Sequence, residues 1–221
     1  MSATEELKSL LSTEVITELS QDDNNSKINI MLDLDNTLIS AEPLTDFPFD
    51  KPDIKEKALK FAVHNMEDYY IVFERPHLQD FLDYLFENFN VSVWTAASKD
   101  YALWVVDKIV LRRPGRKLDF IFYSYHCDLS KRKCKRSSKD LRMLWKHFKL
   151  PNYGPHNTLI IDDLPNVWKP QSCNTIPAIP FEILDEGSEN DDFLLEAQDK
   201  LEKIKNNRPQ GSVSRFCLTK V

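Results

Sequence analysis

The sequence contains little glycine, no excess of positive charge and no long hydrophobic run. Only 4 of its 221 residues are glycine while 12 are proline, which excludes collagen-like repeats and glycine-rich linkers. The net charge of −6 at pH 7 argues against a general nucleic-acid binder. The longest uncharged apolar stretch, Tyr101–Val106, is far too short to span a bilayer.

Signals for secretion, zinc binding and nucleotide binding are also missing. Residues 1–20 carry acidic side chains among short apolar runs, which differs from the basic and then apolar pattern of a secretory signal peptide. The 4 cysteines form no CxxC pair, and no P-loop motif occurs. We therefore expect an intracellular protein, nuclear or cytoplasmic, that is neither secreted nor membrane-spanning; whether its host is a cell or a virus stays open.

The composition that is present, with 42% hydrophobic and 29% charged residues, is typical of a globular protein. The length predicts one domain, or one domain with a small insertion. Apolar residues at helical spacing predict a helical extension over residues 1–26. We expect the folded domain at 27–205 and a tail at 206–221.

Short apolar runs alternate with amphipathic stretches along the 27–205 segment. Strands are predicted at Ile28–Leu34, Tyr69–Phe73, Val91–Thr95, Leu118–Tyr125 and Thr158–Asp162. Helices are predicted to begin near Pro76, Ser98, Ser138 and Phe193. This alternation predicts an α/β fold with a doubly wound, Rossmann-like parallel sheet flanked by helices.

Polar side chains lie at the carboxyl ends of three predicted strands. Asp33 and Asp35 end the first strand, Thr95 ends another, and Asp162 and Asp163 end the last. Because ligands of open α/β sheets bind at this edge, these side chains are predicted to form one site. A single aspartate of this kind often caps the following turn, but four together are poorly explained that way.

The chemistry of these groups suits phosphoryl transfer. Several carboxylates in one place repel each other unless a cation lies among them, and all-oxygen ligands favour Mg²⁺ over zinc. Lys139, at the start of a predicted helix, and the Thr95 hydroxyl would suit a phosphate. Taken alone, Lys139 is more often a solvated surface lysine; together the groups indicate phosphoryl transfer.

The segment Asp33-Leu34-Asp35-Asn36-Thr37 resembles the DxDxT signature of haloacid dehalogenase (HAD) phosphatases. More narrowly, it resembles the FCP/SCP branch, whose members act on the C-terminal domain of RNA polymerase II. Four further motifs follow in the order of that family: Arg75-Pro76, Trp94-Thr95-Ala96-Ala97, Lys139-Asp140-Leu141 and Ile160-Ile161-Asp162-Asp163. The resemblance covers about Lys27 to Lys205 and implies a HAD-like fold with a small insertion and no large cap domain.

The resemblance also implies roles for the site residues. Asp33 would be the nucleophile that forms an aspartyl-phosphate, and Asp35 would be the general acid and base. Asp33, the backbone carbonyl of Asp35 and Asp163 would bind Mg²⁺, Thr95 and Lys139 would bind the phosphate, and Asp162 would orient Lys139 or metal-bound water. One departure is His77, where the family often has glycine after Arg-Pro.

The implied function is a Mg²⁺-dependent protein serine/threonine phosphatase acting on phosphoserine in peptides like the polymerase C-terminal domain. Two alternatives stay open: a HAD phosphatase for small molecules, and a non-catalytic FCP/SCP-like module that binds proteins. The expected partner is a phosphorylated protein or peptide, without a membrane and without nucleic acid. The sequence leaves the oligomeric state open.

Two further stretches bear on substrate choice. Between Arg112 and Arg142, eleven basic and three acidic residues give a local charge of +8, densest at 131–136. This stretch either steers an acidic phosphopeptide, or is a solvated loop, or acts as a nuclear-import signal. Aromatic residues crowd the segment 47–73; most are expected in the core, and one or two exposed rings would form the proline pocket that similar phosphatases have.

Overall fold

A computed structural model describes residues 27–207. The predicted helical extension at 1–26 and the tail beyond 207 lie outside the described residues. A five-stranded parallel sheet runs through the described part in the order β6-β5-β1-β7-β8. Its strands are β1 (Asn29–Leu32), β5 (Asn90–Trp94), β6 (Ile121–Phe122), β7 (Thr158–Asp162) and β8 (Thr175–Pro177).

The central strands form where the sequence is apolar without interruption. β1 and β7 are buried along their whole length, as expected for parallel strands covered on both faces. In the register between them, Leu32 lies opposite both Val93 of β5 and Ile161 of β7. The carboxyl ends of these three strands are therefore level, which places the residues that follow them at one edge.

The small insertion is a three-stranded antiparallel sheet between β1 and the first large helix. Its strands are β2 (Ile39–Pro43), β3 (Val63–Met66) and β4 (Tyr70–Glu74), in the order β2-β4-β3, and helix α1 (Pro52–Ala58) connects β2 to β3. The strand predicted at Tyr69–Phe73 is present as β4, but it belongs to this small sheet. Phe47 and Phe73 form part of the insertion's own core.

Helices cover both faces of the parallel sheet. They are α2 (Leu78–Asn88), α3 (Lys99–Val105), which continues as a π-helical turn at Val106–Val110, α4 (Ser124–Cys134), α5 (Pro165–Trp168) and α6 (Phe193–Asn206). Side chains of α2, α3 and α6 pack in one core, and side chains of α4, α5 and a second π-helical turn (Met143–His147) pack in another. The predicted doubly wound α/β fold is confirmed.

Three predicted elements differ from the structure. The strand predicted at Leu118–Tyr125 is reduced to the two residues of β6, because the chain enters α4 at Ser124. The helix predicted from Ser138 is a loop followed by the π-helical turn. Helix α2 begins at Leu78 rather than at Pro76, because His77 adopts a left-handed conformation (φ 66°). Among residues 27–207 no helix combines the length and hydrophobicity that a membrane span requires.

Candidate active site

Asp33 is the first residue after β1 and lies at the centre of the site. Its backbone N–H donates to the carbonyl of Ile161 in β7, at 3.1 Å, which fixes it beside the end of that strand. Its Oδ1 accepts a hydrogen bond from the Leu34 N–H at 2.8 Å and lies 2.7 Å from the Lys139 ammonium. The carboxylate is almost fully buried, so these two donors fix its orientation.

Lys139 is fully buried and bridges two carboxylates. Its Nζ lies 2.7 Å from Asp33 Oδ1 and 2.7 Å from Asp162 Oδ2. The Gln171 side chain holds the loop that inserts it by donating to the Lys139 carbonyl at 2.8 Å. The alternative of a solvated surface lysine is therefore wrong. Burial alone lowers the pKa of Lys139, but the two carboxylates outweigh burial and raise it, so the side chain remains an ammonium ion.

Asp33, Asp162 and Asp163 bring carboxylate oxygens within 4.8 Å of one another. Burial, followed by repulsion from Asp33, raises the pKa of Asp162 to about 8 and also raises the pKa of Asp163. Three buried carboxyl groups thus face one ammonium group, and the raised pKa values reflect negative charge that is only partly balanced among the described residues. An all-oxygen donor set with this charge fits a hard divalent cation such as Mg²⁺.

Asp35 lines a cleft next to this cluster. Its carboxylate accepts a hydrogen bond from the Tyr101 hydroxyl, which comes from the first turn of α3. Burial raises the pKa of Asp35; the Tyr101 hydrogen bond lowers it, and the charge of Asp33 adds to the rise, so that the net direction is upward. A carboxyl group that retains its proton more readily than usual is suited to general-acid catalysis.

Thr95 follows β5 and is fully buried beside the end of β1. Its hydroxyl accepts a hydrogen bond from the Ala97 N–H at 3.0 Å, which shapes the turn before α3. Of the predicted site residues, the structure joins Asp33, Lys139, Asp162 and Asp163 directly. Thr95 and Asp35 lie at the same edge of the sheet, but they have other hydrogen-bond partners.

The cleft above Asp35 has a volume of about 550 Å³ and lies between the insertion and the start of α3. Tyr69 and Tyr70 line its insertion side and are exposed by 72% and 37%, respectively. Phe47 and Phe73 are buried. Phe61 is half-buried, and Phe49 is exposed by 41%. Three of the six rings are thus exposed, so the prediction that most of them are core and only one or two are exposed is wrong.

Arg75 joins segments that lie next to the site, although the sequence predicts no chemical role for it. Its guanidinium forms two 2.7 Å hydrogen bonds with Asp191 and donates to the carbonyls of Thr37 and Ile179 at 3.0 and 2.9 Å. Thr37, in turn, donates its hydroxyl to Asp163 at 3.4 Å. The arginine therefore fixes the turn that follows Asp33 and Asp35 to the segment before α6.

The comparisons with known proteins agree with this geometry. The chain is 46% identical over 181 residues to CTD phosphatase-like protein 355R of Invertebrate iridescent virus 6, which covers 80% of this chain and 99% of that protein. It is 43% identical over 188 residues to the 355R protein of Invertebrate iridescent virus 3, which covers 83% of this chain and 100% of the relative.

Among solved structures, the chain is similar to Fcp1, described as an essential RNA polymerase II CTD phosphatase, with a TM-score of 0.61. At 19% identity this match shows a common fold; it covers 89% of this chain and 66% of the Fcp1 chain. The family model of NLI interacting factor-like phosphatases matches residues 28–211. On that match, and on the identity with the viral relatives, the chain belongs to the NLI interacting factor-like phosphatase family, the FCP/SCP-like branch of the HAD phosphatases.

Proposed function

We propose that this protein is a Mg²⁺-dependent protein serine/threonine phosphatase that works through an aspartyl-phosphate on Asp33. The observation that carries the proposal is the buried arrangement in which Lys139 bridges Asp33 and Asp162 while Asp163 lies alongside. This is a site for a phosphoryl group, since it combines a fixed carboxylate, a fixed cation and spare oxygen ligands. Residues 27–205 form the proposed catalytic domain.

Asp33 is the proposed nucleophile. The Leu34 N–H and Lys139 both contact Oδ1, so the second oxygen, Oδ2, is the one that attacks phosphorus. The attack forms the Oδ2–P bond of the aspartyl-phosphate and breaks the bond from phosphorus to the serine oxygen. The ammonium of Lys139, 2.7 Å from Oδ1, holds the carboxylate in the orientation that leaves Oδ2 free to attack.

Asp35 is the proposed proton donor and acceptor. Its raised pKa and its position at the floor of the cleft allow it to give a proton to the departing serine oxygen. The resulting carboxylate then takes a proton from the water that attacks the aspartyl-phosphate. That second step releases inorganic phosphate, frees Asp33 and leaves Asp35 protonated again.

The remaining residues hold the phosphoryl group and the cation. Asp33, Asp163 and the backbone carbonyl of Asp35 would bind Mg²⁺, which supplies charge neutralisation at the phosphoryl oxygens. Lys139 and the Thr95 hydroxyl bind those oxygens from the protein side. Asp162 holds Lys139 in place through the 2.7 Å contact, which makes it a positioning residue.

The proposed substrate is phosphoserine in a protein segment like the C-terminal domain of RNA polymerase II, inside the cell, in the nucleus or the cytoplasm. The cleft is formed by the small insertion, with Tyr69 and Tyr70 at its edge. No separate cap domain occurs within residues 27–207, so the cleft is open to an extended peptide. The names of the viral relatives and of Fcp1 support the same substrate class.

The test is turnover by the Asp33→Asn variant. We expect loss of hydrolysis of an aryl phosphate and of a phosphoserine peptide, with an intact fold, because asparagine still accepts the Leu34 hydrogen bond. Asp50→Asn is the matched control, because Asp50 is exposed in the insertion. Turnover retained by Asp33→Asn would refute the nucleophile assignment.

Two further measurements separate the alternatives. Chelation with EDTA should abolish turnover and added Mg²⁺ should restore it; turnover that EDTA leaves unchanged would refute the metal dependence. A phosphoserine peptide should be hydrolysed with a higher kcat/KM than sugar and nucleotide phosphates. The reverse preference would identify a small-molecule phosphatase, and absence of turnover on every substrate would identify a binding module.

A further inference from the structure

A cluster of cations covers the surface next to the loop that carries Lys139. We call it the basic face; its members are Lys131, Lys133, Lys135, Arg136, Arg142 and Lys146. The first three belong to the end of α4 and its C-cap, and Lys146 belongs to the π-helical turn at Met143–His147, which packs against α4. All are exposed except Arg142, which is half-buried.

The electrostatic contacts show that these cations lie together. The charges of Arg142, Arg136 and Lys146 all act on the thiol of Cys134 at the end of α4. The charge of Lys133 acts on the imidazole of His147, in the neighbouring π-helical turn. Because α4 also contacts the π-helical turn, the basic face extends across two neighbouring elements.

This surface is connected to the phosphate site through Asp140. Asp140 is fully buried and binds Arg142 at 2.7 Å and Arg136 at 3.2 Å. Its N–H donates to the Ser130 hydroxyl of α4, at 3.1 Å. The two arginines thus stand three residues before and three residues after Lys139, so one loop directs Lys139 inward to Asp33 and the arginines outward to solvent.

The positive charge of the basic face is only partly compensated within the described residues. Its six cations face only Asp140 and the exposed Asp128, whose 3.6 Å contact with Lys131 is weak. Lys133, Lys135 and Lys146 form no ion pair with any residue in the 27–207 range. The helix dipole of α4 favours cations in its last turn, which accounts for Lys131 and Lys133 but not for Arg136, Arg142 and Lys146.

We propose that the basic face binds a second phosphorylated residue of the same protein segment whose phosphoserine is hydrolysed at Asp33. Two adjacent guanidinium groups held by one carboxylate present paired donors to a dianion, which is the geometry that favours phosphate over a single carboxylate. The preferred substrate is thus a multiply phosphorylated segment. This inference rests on the proposed function, since it concerns the substrate of that site.

A nucleic acid is the other polyanion that a basic surface could bind. Binding of single-stranded nucleic acid usually adds aromatic side chains on which bases stack. Trp145 and Phe148 of this region pack against the core of the α4 side and are only partly accessible. The described surface therefore favours a phosphopeptide.

The experiment compares three peptides of one sequence: with one phosphoserine, with two phosphoserines, and with one phosphoserine and a glutamate in place of the second. The protein is tested as wild type and as the Lys133→Gln/Lys135→Gln/Lys146→Gln variant, which removes cations that have no internal partner. Lys51→Gln/Lys55→Gln/Lys203→Gln is the matched control, because these lysines are exposed and lie just before α1, on α1 and on α6, respectively.

For the wild type we expect a kcat/KM about tenfold higher on the doubly than on the singly phosphorylated peptide, with the glutamate peptide between them. In the basic-face variant the advantage should shrink to about twofold or less, while aryl phosphate turnover stays unchanged. The control triple variant should keep the full advantage. Added salt should reduce the advantage in the wild type.

Three results would overturn the proposal. The first is an equal kcat/KM advantage of the doubly phosphorylated peptide in wild type and variant, and the second is a glutamate peptide with the same kcat/KM as the doubly phosphorylated one. The third is a basic face that binds a single-stranded oligonucleotide while the variant leaves the peptide preference unchanged. Calorimetry can also measure the binding of the same peptides to the Asp33→Asn variant, and this measurement does not depend on turnover. If aryl phosphate is not hydrolysed at all, the proposed function fails. This binding measurement still tests whether the basic face binds the second phosphorylated residue.

Discussion

The hydroxyl of Tyr101 donates a hydrogen bond to the carboxylate of Asp35, and this contact joins residues that are 66 positions apart. Tyr101 is the third residue after Ser98, the N-cap of α3, whose hydroxyl accepts from the Tyr101 N–H. The Ser98 cap therefore fixes the start of α3, and this position of the first turn places the Tyr101 side chain in the cleft. Its hydrogen bond lowers the Asp35 pKa, against the upward effect of burial.

The Tyr101→Phe variant should shift the pH dependence of catalysis upward. Without the hydroxyl, the charged form of Asp35 loses a hydrogen bond, so its pKa rises and the acid keeps its proton to higher pH. We expect the alkaline limb of the kcat/KM profile on an aryl phosphate to move up by about one pH unit, because a hydrogen bond to a charged group is worth about 1.5 kcal/mol. Tyr70→Phe, whose ring contacts Tyr101 edge to face, is the control and should leave the limb in place. An unchanged limb in Tyr101→Phe would contradict the acid role of Asp35.

Removal of the Lys139 charge should destabilise the fold as well as abolish turnover. The Lys139→Met variant leaves Asp33 and Asp162 buried together without their ammonium, which costs about 3–5 kcal/mol in comparable buried ion pairs. Urea denaturation measures this loss in the free energy of unfolding.

The double variant Lys139→Met/Asp162→Asn separates stability from catalysis. It removes one of the two repelling carboxylates, so we expect it to recover most of the lost stability while turnover stays absent. If Lys139→Met were as stable as wild type, the contacts of Lys139 would not be what stabilises the buried pair Asp33 and Asp162. A double variant with restored turnover would show that Lys139 does not bind the phosphoryl group.

The cluster of carboxylates could be predicted from the sequence because its strands are buried on both faces. β1 and β7 are short apolar runs that end in acidic residues, so both the strand and its chemically active end are visible in the sequence. The roles of Asp33 and Asp35 came from the family resemblance. Tyr101 and Arg75 were missed as functional residues, because their partners lie 66 and 116 positions away and depend on how the elements pack.

The elements predicted wrongly are those in which tertiary hydrogen bonds replace local signals. Residues after Ser138 have a helical apolar pattern, but the Gln171 side chain accepts from the Leu141 N–H at 3.0 Å and donates to the Lys139 carbonyl. These bonds satisfy the loop backbone, so no helix is needed there. Helix α4 has no apolar periodicity and begins instead with a capping box, in which His126 accepts from the Tyr123 N–H.

Magnesium should stabilise the protein more at higher pH. The pKa of Asp162 is raised to about 8 and that of Asp163 is also raised, so the folded protein binds more protons than the unfolded chain from about pH 4 to about pH 8. The contribution of these groups to the free energy of unfolding therefore falls as the pH rises through that window. A divalent cation takes the place of these protons. It should therefore raise the free energy of unfolding more at a pH where the protons have dissociated.

The measurement is the thermal unfolding midpoint with and without Mg²⁺, at about pH 8 and about pH 5.5, at constant ionic strength. We expect Mg²⁺ to raise the unfolding midpoint clearly at the higher pH and only slightly at the lower pH. Asp163→Asn should weaken the response, and the exposed control Asp50→Asn should not. Equal responses at both pH values would contradict the proposal that Mg²⁺ binds at Asp163, next to Asp162.

His77 is a position where one substitution should stabilise the protein. Its φ of 66° lies in the left-handed region, where a Cβ costs about 1–2 kcal/mol, and its side chain is exposed. The family resemblance associates glycine with this position, and His77→Gly should raise the free energy of unfolding by about 1 kcal/mol, because relief of strain exceeds the added entropy of the unfolded glycine. His77→Ala keeps the Cβ and should give no gain. Both variants should hydrolyse an aryl phosphate at the wild-type rate, because His77 takes no part in the contacts described for the site. Urea denaturation compares the three proteins, and a glycine variant no more stable than the alanine variant would show that the left-handed backbone at His77 carries no strain.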